Sequence, residues 1–356
     1  MYIETKPDYE KCLDRIEAWF KHEIIDRVPI RFHRHNAEYD NMLSNKVYPT
    51  LKEKWYDSEF QISSFLKSMK GMRYNGETFP VFMPNVGPDM FAACHGVELT
   101  FGEVTSWSEH FIHSSDDLSK IHFSKNSEYF QKIEEMTKMA LEMSNHRFWT
   151  GYTDLHPGMD CAAAFRGPEP LCMDMIMEPE LVKTLMKKSS EHFLEVYDHF
   201  DTMLKAHNQP SVTWMNIPIA NGRMHIPSND FSSMISPEMF EEFALPTLIE
   251  EVKTMTHNVF HVDGLGVANH TDTILSVEGI ECVQWVQGMA DLYPIMQHIP
   301  YIKHVQSLGA SIIVDLDKSD LDRFMAEVNP KGIFLWIATE NEEEELAILK
   351  KLMKWK

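Results

Sequence analysis

Short apolar runs of five to seven residues, rich in β-branched and aromatic side chains, recur along the chain between longer stretches with helical spacing. The runs at 28–33, 79–85, 148–154, 212–217, 259–263, 281–286, 311–315 and 332–338 predict eight strands. Residues 179 to about 207 predict a helix, with Leu181, Leu185 and Met186 at helical spacing and Phe193, Val196 and Tyr197 beyond. In SPEMFEEFALPTLIEEVKTM, Ser236 is a good N-cap and Pro237 fills the first helical position, where its missing N–H costs nothing. Pro246 is then expected to bend or restart that helix. The last segment, ENEEEELAILKKLMKWK, places acids in its first turn and lysines in its last, matching the helix dipole. Ahead of the first strand, DYEKCLDRIEAWFKHE turns Leu13, Ile16, Trp19 and Phe20 to one side. The stretch 103–145 departs from the alternation and is expected to hold an extra hairpin or helices.

Strand and helix signals in alternation imply parallel strands joined by right-handed crossovers. Eight such units predict a (β/α)8 TIM barrel of the α/β class. It is read as a single domain over 1–356, whose N-terminal helical extension, 1–26, covers the bottom.

Composition narrows the partners. Lys plus Arg is 33 against 54 for Asp plus Glu, a net charge of −21, so nucleic acid and anionic membrane are not expected partners. No run approaches the about 20 apolar residues that span a bilayer. The five cysteines form no CxxC and no even framework, so reduced thiols and a cytoplasmic location are expected. A homodimer is the default oligomer.

In such barrels the chemistry sits at the C-terminal strand ends. That rule selects Arg31, His33 and Arg34, then Asn85 and Asp89, then Tyr152, Asp154 and His156. Further along it selects Trp214 and Asn216, His261 and Asp263, Gln284 and Trp285, and Trp336. Asp154 and His156 suit a general base and its partner near neutral pH. Arg166 suits bidentate recognition of a carboxylate, or a bridge to Asp160. Trp214, Trp285 and Trp336 together suggest an aromatic pocket wall. HIPSNDFSSM reads as a polar loop in which Asp230 either acts at the site or simply turns the chain.

DRVPI (26–30), HGVELTFGE (95–103), GYTDLHPGMDCAAAFRG (151–167), EPELV (178–182), SPEMFEEFALP (236–246), FHVDGLG (260–266) and CVQWVQG (282–288) follow one another in an order that resembles the uroporphyrinogen decarboxylase superfamily. The resemblance implies a (β/α)8 barrel and two chemistries, porphyrinogen decarboxylation and corrinoid-linked methyl transfer. The decarboxylases hold a carboxylated tetrapyrrole with arginines spaced R-x3-R. Here Arg31 and Arg34 stand one residue closer, and no glycine separates them. The methyltransferases hold zinc through His-x-Cys and a later cysteine. FHVDG falls at that place, but Asp263 replaces the thiolate and no cysteine follows Cys282. A His/Cys/Cys zinc site is thereby excluded.

A harder site is left, in which His261 and Asp263 bind Zn²⁺ or another divalent ion with His225, His270, Asp154 or Cys282 as third ligand. The other reading makes His261 and Asp263 an acid–base or ligand-bonding pair. The expected function is methyl transfer from a small O- or N-methylated compound, with corrinoid supplied by a partner protein and the substrate contacted by the strand-end residues above. The alternatives are a porphyrinogen-type decarboxylase without a cofactor, and a non-catalytic barrel that binds a ligand or a corrinoid partner.

Overall fold

The computed structural model describes residues 1–34, 46–288 and 294–355. Strands β1 (Ile30–Arg34), β2 (Val81–Phe82), β3 (Glu98–Phe101), β4 (Ser106–Glu109) and β5 (Trp149–Thr150) come from the first half of the chain. β6 (Met224–His225), β7 (His257–Asp263), β8 (Cys282–Val286), β9 (Ser311–Asp315) and β10 (Ile333–Thr339) come from the second. Six of them form one curled parallel sheet in the order β1-β10-β9-β8-β7-β6, and β2 pairs in parallel with β5. The sequential neighbours β7 to β10 are joined through helices, as parallel crossovers require.

Hydrogen bonds continue outward from both edges of the six-stranded sheet. At one edge, Met224 N donates to Ser211 Oγ (3.1 Å), and Tyr152 N, just past β5, donates to Val212 O (2.9 Å). At the other, Glu77 N donates to Ile30 O (2.7 Å) and Phe32 N to Thr78 Oγ1 (2.9 Å), close before β2.

The predicted strand at 212–217 is not a strand. Pro210 and Pro218 bracket that run, and within it Asn216 N donates to Thr213 O (2.8 Å) with Asn216 at φ +54°. Proline removes ladder donors at both ends, so the segment turns, and the strand beside β7 is the later pair Met224–His225. The helix expected over 179–207 is two, Pro179–Lys188 and Phe193–Ala206. The stretch 103–145 contains β4, which closes an antiparallel hairpin with β3, and the helix Glu128–Ser144.

Ser236 caps its helix by accepting from Met239 N (3.3 Å), with Pro237 next. The chain then passes through a π turn at Phe240–Ala244, where Leu245 N reaches back to Phe240 O. Pro246 has no N–H to give, and the wider turn makes room for its ring before the helix resumes at Leu245–Val252.

Two apolar layers result. One fills the interior of the curled sheet with Val259, Cys282, Ile313, Phe334 and Trp336; the other packs the sheet's outer face against helices through Phe260, Val283 and Trp285. The helix Tyr9–Phe20 joins the interior layer through Cys12, Leu13, Ile16, Trp19 and Phe20. Trp19 Nε1 donates to Gly332 O (2.9 Å) and Ser311 Oγ donates to Trp19 O (2.7 Å), which fixes this helix at the N-terminal ends of β9 and β10. Among the described residues no helix is long and apolar enough to cross a membrane.

Candidate functional site

Carboxylates and imidazoles gather at the opposite, C-terminal ends of the strands. A cleft of about 390 Å³ is lined by Asp89, His156, Asp160 and Asp230, with Ser108, His110 and Ser228 between them and Ala163, Ala164, Pro168, Phe231 and Met234 forming an apolar wall. His156 Nε2 lies 2.9 Å from Asp154 Oδ2, both side chains largely buried. Burial alone would strip the proton from this imidazole, but the charges of Asp154, Asp160 and Asp230 prevail and raise it to about 10. His156 is therefore a cation at neutral pH. Its Nδ1 and Asp154 Oδ1 are buried without a hydrogen-bond partner among the described residues. Asp89 has its carboxyl raised by burial.

Asp160 sits in the first turn of the helix Met159–Arg166 and organises the loop opposite. Its carboxylate accepts from Asp230 N (3.1 Å), Phe231 N (3.0 Å) and Ser228 Oγ (3.3 Å). That loop presents Asp230, an exposed side chain at the cleft. The surrounding protein raises its carboxyl, and Asp160 adds to the shift.

β7 delivers His261 and Asp263 to the same place, and Gly264 at φ +77° turns the chain directly afterwards. His261 Nδ1 lies 2.7 Å from Gln284 Oε1, and His261 Nε2 lies 3.9 Å from Asp230 Oδ1. The Trp214 ring packs perpendicular to the imidazole, with ring centres 5.2 Å apart. One ligand atom each of Asp230, His261 and Asp263 falls within 4.8 Å of the others, a spacing that a divalent ion could close. The donor set, two carboxylates and an imidazole, fits a hard or borderline divalent ion.

The third ligands expected from sequence lie elsewhere. His225 Nε2 is bonded to Glu251 Oε1 (2.7 Å). Burial and the His156 charge hold His225 down to about 3, and burial holds Glu251 well up, so both shifts oppose an ion pair here. His270 stacks on Phe240 with ring centres 4.5 Å apart and bonds Ser232 O (2.9 Å). Cys282 is packed in the interior layer two residues before Gln284, its thiol pushed far up by burial. Asp154 is engaged with His156. Asp230 takes the third place.

Other strand-end residues divide between the interior and the frame. Arg31 lies over the Trp336 ring (4.7 Å to its centre) and donates to Met215 O (2.7 Å), and His33 stands 5.7 Å from the same ring. Arg34 turns to Arg73 O (3.2 Å) and Glu345 (3.7 Å). Asn85 accepts from Gly87 N (2.7 Å) in its own turn, and Asn216 occupies the left-handed turn position already described. Tyr152 is buried and donates to Met224 O (2.8 Å). Arg166 is gripped by Asp174 at 2.6 and 3.2 Å, with further bonds to Ile112 O and His113 O, and it does not bridge Asp160. Trp285 points out of the sheet against Tyr301 (4.4 Å) and His298 (5.0 Å), so of the three predicted tryptophans only Trp214 and Trp336 face inward.

Ser228 and Glu251 were not predicted. Glu251, in LIEEV, looks like a surface acid of an amphipathic helix, and nothing in its spacing signals a buried partner in β6.

No protein-family model matches the chain, and no curated protein is similar to it in sequence. Its fold is similar to that of a solved structure, a methyltransferase from Methanosarcina mazei, with a TM-score of 0.63 over 96% of this chain and 98% of that one. At 13% identity, what the two are shown to share is the fold.

Proposed function

We propose that this chain is a methyltransferase-type enzyme on a closed (β/α)8 barrel of the uroporphyrinogen decarboxylase superfamily. It is one domain over 1–356, and it removes a methyl group from a small O- or N-methylated compound. The observation that carries the reading is a buried imidazolium, His156 on Asp154, lining an acidic cleft beside His261, Asp263 and Asp230. Likeness of fold to a methyltransferase supports it, as do the hydrogen bonds that lead from both edges of the parallel sheet toward β5 and β2.

In such a demethylation the C–O or C–N bond breaks, the heteroatom keeps the bonding pair, and the methyl group passes to an acceptor. A corrinoid held by a partner protein would supply the nucleophile that takes it. An alkoxide or amide leaves poorly unless protonated; His156 Nε2 is taken by Asp154, so the proton would come from Nδ1, which has no partner among the described residues. Asp154 keeps the imidazolium charged and oriented. Asp230, His261 and Asp263 would hold a divalent ion, whose chemistry is to polarise the substrate heteroatom. Trp214 walls the site from the sheet interior.

Porphyrinogen decarboxylation is the weaker reading. The described lining of the cleft has three carboxylates and neither lysine nor arginine, and Arg34 is turned toward Glu345. Such a surface opposes a polycarboxylate.

The test is to incubate the purified protein with free cob(I)alamin and a panel of methoxylated and N-methylated compounds, following methylcobalamin by absorbance. Methylcobalamin formed with wild type, and lost with His156→Phe, is expected. No methyl transfer from any compound, or equal rates for the two proteins, would sink the reading, and CO₂ release from uroporphyrinogen would replace it.

A further inference from the structure

The ladder between β7 and β8 puts His261 directly opposite Gln284. Both side chains point into the sheet interior, and Gln284 is almost fully buried. A neutral imidazole has one N–H and one bare nitrogen, and the group bonded to one decides what the other offers. Here the amide oxygen Oε1 lies 2.7 Å from Nδ1, so Nδ1 carries the hydrogen and donates it. Nε2 is then the bare nitrogen, and it is the one that faces Asp230 Oδ1. Packing of the Trp214 ring perpendicular to the imidazole opposes its rotation. From the other side, the three bonds accepted by Asp160 fix the loop that presents Asp230. Cys282, the last cysteine of the chain, lies one inward position below Gln284 in the apolar layer.

We propose that Gln284 is a positioning residue, which holds His261 as its Nδ1–H tautomer and leaves Nε2 as the nitrogen of a thiolate-free divalent-metal site with Asp230 and Asp263. The inference rests on the metal reading given above. Outer partners of metal-bound histidines fix ring orientation, and their loss typically weakens metal binding by about 10- to 100-fold.

The test titrates Zn²⁺ calorimetrically into chelator-stripped wild type, Gln284→Leu and Gln284→Glu, each checked for a cooperative melt. Gln284→Leu is expected to bind Zn²⁺ about 10- to 100-fold more weakly. Gln284→Glu still accepts from Nδ1–H and is expected to bind as tightly as wild type or tighter. Equal affinity in wild type and Gln284→Leu overturns the proposal, as does a loss in Gln284→Glu as large as in Gln284→Leu.

A second measurement needs no metal: ¹⁵N spectra of histidine-labelled protein, with the His261 signal identified by its absence from His261→Asn. Protonation at Nδ1 in wild type and its loss in Gln284→Leu are expected; protonation at Nε2 in wild type overturns the proposal. If wild type takes up no Zn²⁺, the metal site itself fails. Methyl transfer that persists in that case leaves the proposed function standing on His156 alone.

Discussion

The imidazole of His156 is held 2.9 Å from the carboxylate of Asp154 at the wall of a cleft whose other ionisable groups include Asp89, Asp160 and Asp230. This pair makes a pH prediction. His156 is raised to about 10 in the folded protein from an ordinary value of about 6.5, so its stabilising contribution is complete below about pH 6.5. That contribution declines as pH rises and is gone above about 10. Asp154→Asn removes the main charge that raises His156, so the imidazole should then titrate lower than in wild type. Chemical denaturation of both proteins from pH 6 to 10 checks this: the stability difference between them should shrink with rising pH. A difference that grows with pH contradicts the assignment.

Metal content separates the observed triad from the ligands expected by sequence. Protein loaded with Zn²⁺ and desalted should retain it in wild type and in Cys282→Ala, and should lose it in Asp230→Ala and His261→Ala. Elemental analysis reads the result directly. Zinc lost with Cys282→Ala and kept with Asp230→Ala would return the site to the thiolate pattern.

Arg166 tests a structural role. Its fork is closed on Asp174 and two backbone carbonyls away from the cleft lining, so Arg166→Leu should cost stability on the order of 3 kcal/mol by stranding a buried carboxylate. Urea unfolding measures the loss. At a temperature where the variant stays folded, methyl transfer should remain close to wild type.

The tryptophans should part company in the same way. Trp285→Ala removes a ring from the packed outer layer and should lower stability by about 3–5 kcal/mol. Trp214→Ala touches His261 instead, and should slow methyl transfer by about 10-fold or more while shifting the melting temperature less. Thermal melts and initial rates on both variants decide it.

These contrasts mark how far the sequence could be read. β9 was predicted at its observed limits and β10 within one residue, because both have unbroken apolar cores bounded by turn residues. The run at 212–217 is also rich in β-branched and aromatic residues, and its flanking prolines and the turn at Asn216 set it apart. Two-residue strands such as Met224–His225 carry too little pattern to be seen. The direction of Trp285 was hidden for another reason: β8 is buried on both faces, so no polar alternation tells inside from outside. His261 and Asp263 were visible as a spaced pair on one strand. Asp230 was not visible as their partner, because a loop held by Asp160 brings it there, and such an approach leaves no trace in local spacing.

The bond from Trp19 to Gly332 spans 313 positions and joins the first helix to the last stretch of the sheet. During synthesis the helix Tyr9–Phe20 is made long before β9 and β10, so that part of its docking surface is still missing when it leaves the ribosome. Its apolar face therefore stays incompletely covered until those strands arrive, and a segment made early is completed only by segments made late, which leaves apolar surface open in the partly folded chain.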